Sequence, residues 1–168
     1  MIKLSKIFIS ASLFAFSATT LAAAGPTVSK YLTVNVKQAA AINATWTAAA
    51  DVSLSSIRNA NTLVGVLNLS NTNIQSATIG STNTDDNSKE GIFTFTNDND
   101  NTQKFTTIIS AENGDVLIEK NTGSTTIKPA SAQLLPENLS LNFRTEGNSE
   151  KLASGQYTAN IAITTTIF

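Results

Sequence analysis

The chain has 168 residues, of which 11 are Lys or Arg and 12 are Asp or Glu, so its formal net charge is −1. It contains neither cysteine nor histidine. This excludes disulfides, thiol nucleophiles, histidine-based triads and metal sites built on thiolate or imidazole ligands. A weakly acidic chain without a basic stripe is also a poor candidate for binding nucleic acid or an anionic membrane surface.

The first 22 residues have the pattern of a secretory signal peptide. Lys3 and Lys6 provide a short basic region, residues 7–16 are apolar, and small residues follow. Cleavage is predicted after Ala22, with Ala24 as the alternative. A retained membrane anchor is the other interpretation, disfavoured because the apolar run is short for a bilayer span. Removal of both lysines leaves nine basic residues against twelve acidic ones, a net charge of −3.

Residues 28–36 alternate apolar and polar side chains, which predicts a β-strand with one apolar face. Lys30 interrupts that face, whose apolar members are Val28, Leu32, Val34 and Val36. Two interpretations are open from this run alone. It is either the first strand of an ordinary sandwich or an N-terminal extension that pairs elsewhere.

Nine further runs of β-forming residues follow, separated by clusters rich in Asn, Asp, Gly and Ser. Short strands with frequent turns predict an all-β sandwich in one domain. The predicted strands are residues 41–47, 62–69, 74–79, 91–96, 105–110, 116–119, 125–128, 139–144 and 156–168. Residues 112–115 give a strong turn signal between two of these runs.

Two acidic, Asn-rich loops are candidates for a cation site. Residues 85–87 and 98–102 carry the carboxylates, but they lack the glycine and the closing glutamate of an EF-hand loop. Both are therefore predicted to be solvated turns. The remaining charged residues are scattered over predicted loops without a pairing suited to acid–base catalysis. The sequence predicts no metal, no cofactor and no enzymatic activity.

Three Asn-x-Ser/Thr triplets begin at Asn43, Asn68 and Asn138. Such triplets are acceptors for N-glycosylation in secreted proteins. We interpret them as chance occurrences, because the chain is rich in Asn, Ser and Thr and a bacterial type of signal peptide does not imply their use.

The last run, residues 156–168, is the longest predicted strand, and it closes the chain. Its apolar parity begins at Tyr157 and continues through alternate residues to Ile167, with no polar tail after Phe168. At a sheet edge, the free backbone groups of such a strand would accept another strand. The alternative is a last strand that is paired on both sides within the domain.

Motifs at both ends of the chain resemble those of chaperone–usher pilins. Gly155-x-Tyr157, with Gly155 fourteenth from the end, resembles their C-terminal signature, and residues 30–36 resemble their donor strand. The chain departs from many pilins in placing Ile167, rather than an aromatic residue, at the penultimate position. Further matches resemble the coli surface antigen three branch of the family along essentially the whole chain, in residues 23–27, 44–46, 61–67, 69–72 and 154–161.

The resemblance implies an incomplete immunoglobulin-like β-sandwich, the pilin fold, which is completed by a strand donated from a neighbour. Residues 1–22 would be the signal peptide, 23–37 the donor-strand extension and 38–168 the sandwich body. The chain would be exported through the periplasm to a fimbria on the cell surface. Its partners would be identical subunits, a periplasmic chaperone, an outer-membrane usher and a host receptor.

The resemblance also assigns roles to residues. The donor side chains would be Val28, Leu32, Val34 and Val36, with Lys30 at the groove mouth, where its amine stays in water. The acceptor groove, which also binds the chaperone, would be lined by Ile42, Ala44, Trp46, Gly155, Tyr157, Ile161, Ile163 and Ile167. Trp46 could instead bind a ligand, but it shares its strand parity with Ile42 and Ala44, which favours a core or groove position.

Three functional hypotheses remain open at the level of sequence. The first is a structural pilus subunit that polymerises by strand exchange and supports attachment to intestinal surfaces. The second is a pilin-like adhesin that recognises a host receptor through its exposed surface. The third is an unrelated secreted β-sandwich, such as an inhibitor or matrix protein, that exchanges no strand.

Overall fold

The computed structural model describes residues 39–50, 52–112, 114–147 and 151–167, all within one compact unit. The predicted signal peptide and the predicted donor residues Val28, Leu32, Val34 and Val36 lie outside these ranges. In the part of the chain that is described, no helix is both long enough and apolar enough to cross a membrane.

Ten strands follow one another along the described chain. They are β1 (Ala41–Ala48), β2 (Leu63–Thr72), β3 (Ile74–Ser81), β4 (Ile92–Asn97), β5 (Lys104–Ala111), β6 (Val116–Asn121), β7 (Ser124–Pro129), β8 (Asn138–Thr145), β9 (Tyr157–Thr158) and β10 (Ile161–Ile167). A one-turn helix, α1 (Leu54–Ile57), precedes β2, and its N-terminus is capped by the Ser53 hydroxyl, which accepts from Ser56 N. A 3-10 turn (Thr84–Asp86) follows β3.

The strands form two antiparallel sheets. The six-stranded sheet has the order β1-β2-β8-β5-β4-β9, and the four-stranded sheet has the order β10-β3-β7-β6. β2 and β3 are joined at Asn73, whose positive φ of 56° makes a sharp corner between the sheets. Asparagine tolerates this left-handed conformation better than most residues do. The corner places β1, outside β2, and β10, outside β3, at the same side of the sandwich.

The core lies between the two sheets and follows from the alternation of side chains along each strand. In β2, Leu67 and Leu69 are buried, whereas Val66 and Asn68 point to the opposite face and are partly exposed. The most completely buried apolar side chains come from strands inside both sheets, and they are Ala77, Ile79, Phe93, Ile127 and Leu141. Their burial supplies the main free energy that holds the sheets together.

The predicted all-β sandwich is confirmed, and all nine runs predicted beyond residue 40 contain strands. The prediction of one continuous last strand is wrong. Residues 157–167 form β9 in the six-stranded sheet and β10 in the four-stranded sheet. The chain changes sheets at Ala159 and Asn160, where Asn160 O accepts a hydrogen bond from Thr82 N at 3.0 Å. A strand that passes from one layer to the other must bend, and this interrupts its ladder.

The strands on either side of the turn predicted at residues 112–115 belong to different sheets, so they do not form a hairpin. β5, which precedes it, pairs with β4 and β8, whereas β6, which follows it, pairs with β7. Phe105 and Ile109 enter the core from the first sheet and Val116 enters it from the second. The turn signal in the sequence indicates where the chain changes direction, but it does not specify which strands β5 and β6 pair with.

The prediction that residues 85–87 form a solvated turn is wrong for Asp86, which is fully buried. Its carboxylate accepts hydrogen bonds from Thr94 N at 3.0 Å and from the hydroxyls of Thr94 and Ser81, both at 2.5 Å. These bonds fasten the 3-10 turn to β4. A buried carboxylate is tolerated here because its oxygens are satisfied, a condition that spacing along the sequence does not reveal.

Candidate functional site

Two strands at one side of the sandwich have an open edge. β1 pairs with β2, and β10 pairs with β3, but within the described residues no strand pairs with the outer edge of either. We call the two strands, Ala41–Ala48 and Ile161–Ile167, with the space between them, the seam. Exposed strand edges present rows of free backbone N–H and C=O groups that can pair with another strand.

The β1 side of the seam carries poorly covered apolar residues. Ile42 is partly buried and packs against the core, Ala44 is exposed, and the Trp46 side chain remains 43% exposed. All three share one strand parity, which points toward the interior of the sandwich. The apolar face of this edge strand therefore points inward but remains partly exposed. In a closed sandwich, the inward-facing side chains of a strand are covered by the opposite sheet.

The β10 side of the seam is similar. Ile161 and Ile163 are partly buried against the core, and Ile167 is 55% exposed beyond a register shift between Thr166 and Ile167. The intervening residues Ala162 and Thr164 point outward into solvent. Both edges of the seam thus offer alternate apolar side chains beside a backbone edge that no other described strand pairs with.

A cavity of about 330 Å³ opens at one end of the seam. It is lined by residues from five strands of the six-stranded sheet, by Ile161 of β10 and by residues next to β9. The lining residues are Trp46, Leu67, Phe95, Phe143, Gln156, Tyr157, Thr158, Ala159 and Ile161. A largely apolar cavity of this size, beside two strand edges without a partner in the described ranges, suits an aliphatic side chain carried by an added strand.

Trp46 lies over the sheet at the cavity because Gly65 leaves room for it. The indole packs edge-on against Phe143, with ring centroids 5.2 Å apart. A Cβ atom placed on Gly65 would lie 2.6 Å from Trp46 Cη2 and 2.8 Å from the backbone oxygen of Thr47. The absence of a side chain at Gly65 is therefore what permits this position of the indole.

Tyr157 is held on the opposite wall by contacts at both ends of its side chain. Its ring lies against Phe105, with centroids 5.3 Å apart, and its hydroxyl donates to Ala153 O at 2.9 Å. Gly155 lies close to Asn97, so that a Cβ at Gly155 would be 2.8 Å from Asn97 Nδ2. Gly155 therefore sets the close approach of the chain to β4 and does not itself line the cavity.

The predicted groove residues fall into three groups in the structure. Trp46, Tyr157 and Ile161 meet at the cavity, whereas Ile42 and Ile163 lie farther along the seam and pack against the core. The remaining predicted residues, Ala44, Gly155 and Ile167, are exposed. Sequence reasoning missed the polar cavity residues Gln156 and Thr158 and the apolar ones Leu67, Phe95, Phe143 and Ala159. The strand parity of the apolar residues marks them as inward-facing, but it does not separate the cavity wall from the closed core.

The ionisable groups with shifted pKa values lie on loops outside the cavity lining. Lys104 donates a hydrogen bond to Asp85, and together with its positive charge this holds the pKa of that carboxyl below its ordinary value of 3.8. Hydrogen bonds from Thr102 and Gln103, without a charged partner, lower the pKa of Asp100. Both shifts are downward, whereas a carboxyl that acts as a general acid near neutral pH needs a raised pKa. Among the residues that the structure describes, no cluster of acidic side chains is suited to holding a metal ion.

Comparison with known proteins identifies a relative along nearly the whole chain. The chain is 46% identical over 167 residues to a CS3 fimbrial subunit of Escherichia coli, and the alignment covers 99% of each protein. No family model matches the chain. Identity at this level over the full length confirms the resemblance that the terminal motifs predict.

Proposed function

Because the chain belongs to the family of CS3 fimbrial subunits, we propose that it polymerises into a fimbria by exchange of a strand between neighbouring copies. In this proposal, the N-terminal extension of one copy adds to the open seam of the next. The observation that carries it is the pair of strand edges, on β1 and β10, that no strand of the described part of the chain pairs with and that flank an apolar cavity. Strand addition combines backbone hydrogen bonds for affinity with alternate side-chain sites for specificity.

The donor would be the segment of residues 28–36, which lies outside the described residues. Its apolar parity, formed by Val28, Leu32, Val34 and Val36, matches the alternate apolar sites along the seam. Lys30 would lie where the groove opens to water. An added strand would pair both free edges and shield the half-exposed Trp46, so each junction would complete the core of the acceptor.

The chain would reach the cell surface through the periplasm. Residues 1–22 would direct export and be removed, residues 23–37 would be the donor extension, and 38–168 the acceptor body. A seam with exposed apolar residues would aggregate if left open, so a periplasmic chaperone would cover it before assembly. An outer-membrane usher would then exchange the chaperone for the next copy, and the fimbria would attach the cell to host intestinal surfaces.

The test of strand exchange is the polymerisation of the chain with and without residues 23–36. The mature chain, co-expressed with its chaperone, is expected to form ladders that survive detergent at room temperature and collapse on boiling. The truncated body should give none, and a supplied peptide of residues 28–36 should restore a folded monomer. A mature chain that remains monomeric, or a truncated body that still polymerises, would contradict the proposal.

A matched pair of variants separates side-chain insertion from general effects of charge. Val34→Asp places a carboxylate on the apolar parity of the donor, whereas Thr33→Asp places it on the neighbouring polar parity. Burying an unpaired carboxylate is costly, so Val34→Asp should abolish the ladders. Thr33→Asp should leave them largely intact, and equal loss in both variants would count against insertion of alternate side chains.

A further inference from the structure

The three Asn-x-Ser/Thr triplets of the sequence come together on one face of the sandwich. Asn43 and Thr45 are on β1, Asn68 and Ser70 are on β2, and Asn138 and Ser140 are on β8, three neighbouring strands of the six-stranded sheet. We call these six residues the amide–hydroxyl patch. In a strand, residues two apart share a face, so each triplet presents its amide and its hydroxyl on the same side.

The strand register arranges the patch as two rows of three. One row is Asn43, Ser70 and Asn138, and the other is Thr45, Asn68 and Ser140. Across every strand pair, an amide therefore lies opposite a hydroxyl. Facing residues in neighbouring strands are about 5 Å apart, so the patch extends roughly 10 Å across the sheet.

The patch lines a shallow depression of about 270 Å³ on the outer surface. The remaining lining residues are Leu69 and Leu139, both buried, so none of the eight carries a charge. Five of the six patch side chains are exposed, and Asn68 is partly buried. The Ser140 hydroxyl donates to Asn68 Oδ1 at 2.8 Å, which orients that amide with its NH₂ group free to donate among the described residues.

We propose that the amide–hydroxyl patch binds a neutral oligosaccharide. Sugar hydroxyls both donate and accept hydrogen bonds, and so do Asn amides and Ser or Thr hydroxyls. A neutral lining does not favour a sialylated, sulfated or phosphorylated ligand, which would call for cationic partners. The polar groups project from paired strands, so binding requires little ordering of the backbone.

The position of the patch keeps it accessible in a polymer. Asn43 and Thr45 alternate along β1 with Ile42, Ala44 and Trp46, which face the interior of the sandwich. Asn43 and Thr45 therefore lie on the outer face of the sheet. A strand added at the seam would leave the patch uncovered. One shallow, hydrated site binds weakly, but a fibre that repeats it on every copy gains avidity by a factor of about 10²–10⁴.

The test is the binding of intact purified fimbriae to an array of neutral, sialylated and sulfated oligosaccharides. Wild-type fimbriae are expected to bind neutral members of the array. The isosteric variant Asn68→Asp and the triple variant Asn43→Ala/Asn68→Ala/Asn138→Ala should weaken that binding by about tenfold or more. Asn121→Ala changes an exposed asparagine on β6 of the other sheet and should bind like the wild type.

Fibre formation is measured in parallel by electron microscopy and by the heat-sensitive ladder, so loss of glycan binding is distinguished from failure of assembly. The proposal is overturned if wild-type fimbriae bind no neutral oligosaccharide or prefer charged ones. Unchanged neutral-glycan binding by assembled Asn68→Asp fimbriae would also overturn it. So would variants that retain glycan binding while losing lateral bundling, because the patch would then contact a second fibre.

Discussion

The seam and the closed core of the sandwich are built from the same alternating pattern but differ in burial. Leu141 on β8 and Ile127 on β7 have strands on both sides and are fully buried. Trp46 on β1 and Ile167 on β10, each on a strand with one neighbour among the described residues, are 43% and 55% exposed. The inward-facing apolar residues of β1 and β10 are therefore left partly exposed, whereas those of the inner strands β7 and β8 are fully buried. This difference supports the proposal that another strand completes the seam of this fimbrial protein.

The largest expected effect comes from filling the seam. A peptide of residues 28–36 should stabilise the truncated body, because it binds the folded state and not the unfolded chain. At a concentration 1,000-fold above its Kd, the gain in unfolding free energy is about 4 kcal/mol. Thermal unfolding followed by circular dichroism measures it. Equal melting temperatures with and without added peptide would show that the peptide does not fill the seam.

Leu141→Ala tests the closed core of the sandwich. The substitution leaves a cavity at a fully buried position between β2 and β5 and should lower the unfolding free energy by about 3 kcal/mol. Leu117→Ala is the matched control, because Leu117 is 53% exposed on β6. Denaturant unfolding of the peptide-filled body measures both. Similar losses for the two variants would show that the core is not where the structure places it.

Gly65→Ala tests how Trp46 fits into the seam. The new methyl group would overlap the Trp46 indole and crowd Thr47 O, so the ring must move, at a cost of about 1–3 kcal/mol. Because Trp46 is the single tryptophan of the chain, its fluorescence reports the displacement directly. Affinity for the 28–36 peptide should fall at the same time.

Gly80→Ala provides the control for this experiment. The nearest atom to a Cβ at Gly80 is Ala162 O at 3.9 Å, an ordinary contact, so the variant should preserve both the fluorescence and the peptide affinity. A Gly65→Ala protein with unchanged emission and unchanged peptide binding would show that Trp46 does not shape the acceptor site.

The smallest effects are expected from the exposed carboxyls away from the seam. The pKa values of Asp85 and Asp100 are lowered in the folded protein, so their stabilisation is present above the unfolded pKa, near 3.8, and is lost as pH falls through the folded values. Asp85→Asn and Asp100→Asn should each flatten the loss of stability below pH 4. The Asp85 effect should shrink in high salt, which screens its attraction to Lys104. Acid titrations of stability at two salt concentrations measure this.

The loss of stability that these two carboxyls cause at low pH should be smaller than the stability gained by filling the seam with the peptide. A larger loss would show that the loops, and not the seam, dominate the stability of the body. In either case, the salt dependence separates Asp85, which depends on a charged partner, from Asp100, whose carboxylate is bonded by Thr102 and Gln103.

Much of the fold follows from the sequence because alternation is a local property. The runs that form β1 to β8 can be located by their alternation to within a few residues, and the inward parity of Ile42 and Trp46 is evident in it. The family is also recognisable, since Gly155-x-Tyr157 and the N-terminal pattern occupy the ends of the chain. The spacing within the Asn-x-Ser/Thr triplet likewise places Asn43 and Thr45 on one face of a strand.

Tertiary structure decides which of these local patterns meet. Strand order divides residues 157–167 between two sheets, and burial of Asp86 depends on Thr94 and Ser81 arriving from other elements. The cavity depends on the fit of Trp46 over Gly65, and the amide–hydroxyl patch depends on the register of β1, β2 and β8. Period-two alternation fixes the face of each side chain, but only long-range pairing fixes its neighbours.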